Sequence, residues 1–179
     1  MAERISVSKY FQLPETMQPM ELVYGVVREP PPPSYGHQAI VTTLVVLLKA
    51  HVDREQLGIV CVSPVDVVLD LDKALIVQPD IIFVAEGRRD IIRDRIFGAP
   101  DLVIEVLSPG TSQRDRTTKL GWYWEYGVKE CWLVDPKERQ IEIVYLDDPS
   151  ELRRTFSGED RIASRVLPEF ELEVVKIFE

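Results

Sequence analysis

Cysteine is scarce in this 179-residue chain: only Cys61 and Cys131 occur, each among apolar neighbours and without Cys-x-x-Cys spacing. That excludes a disulfide-dense framework and reads as two reduced, buried thiols. Long apolar runs are missing as well. The longest uncharged apolar stretch, residues 39–48, is about half of the ~20 residues that span a bilayer, and the opening Met-Ala-Glu-Arg carries no secretory pattern. No membrane partner is expected, and the expected location is cytoplasmic. Basic charge is in deficit, with 21 Lys+Arg against 30 Asp+Glu for a formal charge of −9. This balance repels phosphate at long range and counts against a strong nucleic-acid binder. It leaves a metal-dependent one open, because the field inside a cleft is set locally.

No internal repeat, low-complexity tract or domain linker interrupts the chain. With 45% hydrophobic and 28% charged residues it reads as one soluble domain over 1–179. The expected division is an N-terminal lid at 1–19, a core at about 20–147 and a C-terminal extension at 148–179.

Residues 5–13 predict a short helix started by Ser6 or Ser8 and halted by Pro14. Residues 20–28 read as a first strand, and the prolines at 30–33 must leave the sheet because they supply no ladder donors. Ile40, Leu44, Leu47, Leu48 and His51 then recur at helical spacing in the main amphipathic helix, 35–56. Residues 58–71 and 75–85 predict an antiparallel hairpin with a bulge at Pro64. Residues 86–100 read as an irregular loop with a helical turn, and its arginines, Arg88, Arg89, Arg93 and Arg95, as a solvated surface. A strand at 101–108 follows, then a helix from Gln113 to Tyr126 with N-cap chemistry at Ser112 and a stop at Gly127. Strands 130–135 and 140–146 form a second hairpin, and the tail supplies short strands and a terminal helical or extended segment. The fold class is α/β (α+β), with helices 35–56 and 112–126 on opposite sides of one mixed sheet.

Chemistry concentrates on two acids. Pro79-Asp80 is followed 25 residues later by Glu105, inside Asp101-Leu-Val-Ile-Glu-Val-Leu-Ser108. Strand alternation puts Glu105 on one face with Val103 and Leu107, so its carboxylate enters an apolar layer. A carboxylate stripped of water there needs a cation, a hydrogen-bond network or a proton, and a divalent metal is the most economical answer. Lys119 lies about 10 Å down the next helix at ~1.5 Å per residue, and Glu105 about 10 Å back along its strand at ~3.3 Å per residue. The two therefore arrive level.

Taken together, Pro79-Asp80, Glu105-Val-Leu107, Lys119 and Gly127-Val-Lys-Glu-Cys-Trp-Leu-Val-Asp-Pro136 resemble the putative restriction endonuclease family of the PD-(D/E)XK phosphodiesterase superfamily. The likeness runs from about residue 21 to 146 and is strongest over 98–136. It implies a restriction-endonuclease-like mixed central sheet flanked by helices, with Mg²⁺ at its acidic edge and Mn²⁺ as a substitute. One departure stands out: the superfamily's basic pattern has a lysine two residues after the acid, where this chain has Leu107, so the lysine role passes to Lys119. The resemblance also maps an acid onto Glu21 in Glu21-Leu-Val-Tyr-Gly25 and a histidine onto His37 after the proline run. Asp80 and Glu105, with Glu21 as a third candidate, are then the metal ligands, and Asp80, Glu105, Lys119, Glu21 and His37 the catalytic set.

The implied activity is Mg²⁺-dependent hydrolysis of nucleic-acid phosphodiesters, DNA being the expected substrate and a homodimer the expected assembly. A different class competes with it, a catalytically silent nuclease-fold module for dimerisation or partner binding, favoured by Leu107 and the net acidity. A carboxylate-pair glycosidase would use the acids but give Lys119 no role. Trp122, Tyr123, Trp124, Tyr126 and Trp132, at helical and strand spacing, are assigned to packing.

Overall fold

In the computed structural model, residues 3–14, 16–108, 115–148 and 153–179 are described, residues 115 and 116 by their backbone alone. The apolar run after Asp101 forms the middle of a six-stranded sheet. Its order is β11 (Arg153–Ser157), β10 (Gln140–Tyr145), β9 (Glu130–Asp135), β8 (Leu102–Val106), β6 (Ile81–Ala85) and β3 (Gly58–Val62). β8 and β9 run parallel and the other neighbours antiparallel, so the expected mixed central sheet flanked by helices is present.

β8 is buried over its whole length because both faces are covered. Leu102, Ile104 and Val106 share one layer with Ile40, Val41, Leu44, Leu48 and Val52 of α2 (Tyr35–Arg54) and with Leu167, Phe170 and Leu172 of the tail. Val103 and Leu107 share the other with Leu120, Trp122 and Tyr123 of α3 (Leu120–Tyr126). Each fully buried leucine in these layers contributes roughly 1.5–3 kcal/mol.

The second layer also holds a five-stranded sheet that the sequence did not announce, ordered β2 (Val26–Arg28), β1 (Glu21–Val23), β5 (Leu75–Val77), β4 (Val67–Asp70) and β7 (Ile96–Phe97). The predicted strand 20–28 folds back at Tyr24-Gly25, both with positive φ, into the β1–β2 hairpin. The predicted hairpin 58–85 is antiparallel as expected but divided between sheets: β3 pairs with β6, and β4 with β5. Proline is the reason. Ser63 N–H still reaches Asp80 O at 3.0 Å, but the residues beyond, Pro64 and Pro79, have no N–H to continue the ladder. Pro64 therefore marks a break rather than a bulge.

The 86–100 segment contains its helical turn, Glu86–Ile91, and also β7, which pairs in parallel with β4. The described part of the 113–126 helix starts as a π-helical turn, Asp115–Lys119, before α3. The expected cap at Ser112 and start at Gln113 lie outside the described residues. Gly127 ends α3 with φ 90°, a left-handed conformation that glycine adopts without penalty. At the N-terminus α1 (Val7–Tyr10) is capped by Ser6 and pinned by buried Tyr10, whose hydroxyl donates to Met20 O at 2.7 Å. β12 (Arg161–Ala163) and β13 (Glu171–Glu173) form a ribbon before a last 3₁₀ turn. Among the described residues no helix is long and apolar enough to cross a membrane.

Candidate active site

The β6–β8 ladder pairs Ile81 with Ile104. One step further, Asp80 comes level with Glu105, and Val106 N–H donates to Asp80 Oδ2 at 2.7 Å. α2 enters from the other side. Ser34 caps it by accepting from His37 N, and this first turn puts His37 Nε2 3.2 Å from the same Asp80 oxygen.

On the opposite face Lys119 closes a buried cluster. Its Nζ donates to Glu105 Oε1 at 2.9 Å and lies 3.0 Å from Glu21 Oε1. The side chains of Lys119, Glu105 and Glu21 are only 7%, 4% and 3% exposed, so this is a desolvated group of two carboxylates on one ammonium. Such a group persists only when its members are hydrogen-bonded to one another. Gln78 N–H adds a bond to Glu21 Oε1 at 3.3 Å.

Tyr123 also donates its hydroxyl to Glu105 Oε1. Burial, followed by the negative charge of Glu105, pushes the phenol well above its ordinary pKa, so it remains a protonated donor. The packing role assigned to this residue is thus half of what it does. The signal was available in its position four residues after Lys119, which puts both on one helix face. Gln78 was missed for another reason, since only the meeting of β1 with β5 gives its backbone a carboxylate to hold. Trp124, also assigned to packing, stands 64% exposed.

Asp80, Glu105, Lys119, Glu21 and His37 all line one cleft of about 520 Å³, walled on its apolar side by Met17, Pro30 to Pro33, Val62 and Pro64. The five residues singled out from the sequence are therefore brought together. Two of the loop arginines are not free surface: Arg88 donates to buried Asp101 at 3.1 Å, and Arg95 binds Asp66 at 3.0 Å while lying over the Phe11 ring.

Among the described residues no group of three or more His, Cys, Asp or Glu side chains is arranged to hold a metal ion. Glu21 and Glu105 both meet Lys119 through Oε1; Asp80 and Glu105, on neighbouring strands, are the pair that could serve a cation as oxygen donors. That set suits Mg²⁺, which takes one or two protein carboxylates and fills its other positions with water and phosphate oxygens.

A mixed sheet with acids at the ends of two central strands and a helix-borne lysine beside them defines the molecule as a nuclease-fold protein. The chain belongs to the Uma2 family of putative restriction endonucleases, which it matches over residues 7–175. Its fold is similar to the crystal structure of a putative nuclease from Anabaena variabilis, with a TM-score of 0.81, 22% identity and 97% of each chain covered. No curated protein matches it.

Proposed function

We propose that this protein is a Mg²⁺-dependent endonuclease acting on nucleic acid, with DNA as the expected substrate. The observation that carries the reading is the buried Lys119 ammonium bridging Glu105 and Glu21 beside Asp80, at the floor of an open cleft. An ammonium so placed can orient an attacking water and balance the charge that develops on a phosphate oxygen. Asp80 and Glu105 would hold the cation, which when bound acidifies a coordinated water and offsets phosphate charge. His37 and the Val106 N–H fix Asp80, and Glu21 anchors the lysine. Cutting both strands of a duplex calls for two sites, and a homodimer is part of the proposal.

The test is nicking of supercoiled plasmid and of a labelled oligonucleotide with Mg²⁺ or Mn²⁺. Asp80→Ala, Glu105→Ala and Lys119→Met should each lose about a hundredfold or more. Unchanged cleavage by the first two variants would overturn the assignment. The alternative, a silent nuclease-fold binding module, is favoured by Leu107 at the superfamily's lysine position and by Lys119 already offsetting the buried glutamates. It requires that Mn²⁺ titration give no heat that disappears in Glu105→Ala.

A further inference from the structure

Two donors from one helix face converge on a single carboxylate oxygen. Lys119 Nζ and the Tyr123 hydroxyl, one helical turn apart, both donate to Glu105 Oε1. Their contributions differ. Lys119 is divided between Glu105 and Glu21, so its ammonium is not committed to Glu105 alone. Tyr123 is fully buried, and its ring is fixed in the apolar layer with Val103, Leu133 and Trp122. Its two side-chain torsions are held by packing, and its hydroxyl therefore sits at a fixed point.

Phenylalanine would fill the same space. The hydroxyl adds a hydrogen bond to a charged acceptor, stronger than one between neutral groups, without adding a charge. It restrains the carboxylate while leaving its negative charge for a cation, which a second lysine would not do.

We propose that Tyr123 is a positioning residue: its hydroxyl immobilises Glu105 Oε1, fixing the orientation the carboxylate presents to a divalent cation and keeping Lys119 shared between Glu105 and Glu21. This rests on the nuclease reading and assigns it a supporting residue that touches neither cation nor substrate. Partners of this kind, when removed, weaken metal binding by about 10–100-fold.

The experiment is calorimetric titration of the full chain with Mn²⁺ alone, for the unaltered protein, Tyr123→Phe, Glu105→Gln and the double variant, each first checked for a cooperative thermal melt. Oligonucleotide kinetics accompany it. The expected result is Mn²⁺ affinity about 10–100-fold weaker in Tyr123→Phe, with kcat reduced and KM for the oligonucleotide unchanged. In the Glu105→Gln background Tyr123→Phe should cost nothing further, because its effect passes through Glu105. Unaltered protein that binds Mn²⁺ and cleaves, together with a Tyr123→Phe variant of equal Mn²⁺ affinity, would reduce Tyr123 to packing and leave the nuclease reading standing. Unaltered protein that neither binds Mn²⁺ nor cleaves would remove the nuclease reading and this inference with it.

Discussion

The backbone N–H of Val106 donates to Asp80 Oδ2 at 2.7 Å, so the strand that carries Glu105 also clamps the other strand-end acid. The relative position of the two carboxylates is thereby set by a main-chain contact next to Glu105.

Because that contact faces a solvated cleft, Asp80→Ala should separate stability from activity. The buried Val106 donor loses its acceptor, and the expected loss of stability is about 1–3 kcal/mol, while cleavage falls about a hundredfold or more. Urea unfolding and plasmid nicking on one preparation check it. A stability loss of several kcal/mol would mark Asp80 as a structural acid.

Lys119→Met should lose stability as well as activity. It leaves Glu21 and Glu105, both buried, without their shared cation, and breaking a buried pair on one side costs about 3–5 kcal/mol. Adding Glu21→Gln should recover part of the loss by removing one of the opposed charges. Urea midpoints at neutral pH measure both steps, and a Lys119→Met protein as stable as the parent contradicts the cluster.

Asp101 contributes to acid stability. Burial pushes its carboxyl up, but donors from Lys129, Ala85 N–H and Arg88 outweigh burial and hold it below the usual carboxylate range. A depressed folded-state value contributes stability that is present above the unfolded-state value, about pH 4, and lost as pH falls through the folded one. Asp101→Asn should therefore be about 1–3 kcal/mol less stable at pH 7, with the gap closing in progressively more acidic buffer. Urea unfolding from pH 7 downward tests the sign, and a gap that widens on acidification refutes it.

Gly58 opens β3 with φ 152°, and a Cβ there would lie 2.1 Å from Val84 O. Backbone cannot yield as a side-chain tip does. Gly58→Ala should lower stability by about 2–4 kcal/mol through strain at the β3–β6 pair, read as a drop in thermal midpoint. An unchanged midpoint would show that the strand edge relaxes freely.

Much of the fold was legible where the signal is local. The 3.6-residue recurrence of Ile40, Leu44 and Leu48 marked α2, and the alternation around Glu105 put that acid among Val103 and Leu107, in the layer it occupies. The five-stranded sheet was not legible. β7 is two residues long and exists because Val67 and Val68 offer it an edge some thirty residues away in sequence, a pairing no local pattern encodes. The split of the 58–85 hairpin was only half visible: Pro64 announced an interruption, but the capture of β4 and β5 by a second sheet depended on β1.

Residue types and spacing determined the strand-borne acids, the helix-borne lysine, and the apolar layer into which Glu105 points, because alternation and helical pitch are properties of a short stretch of backbone. Tertiary structure alone decided that Lys119 is shared with Glu21, that Tyr123 gives its hydroxyl to Glu105, and that His37 reaches Asp80. Those contacts join segments 18 to nearly 100 residues apart. Hydrogen bonds of this kind are selected by which polar groups are stranded together when the apolar faces close, not by the sequence around either partner.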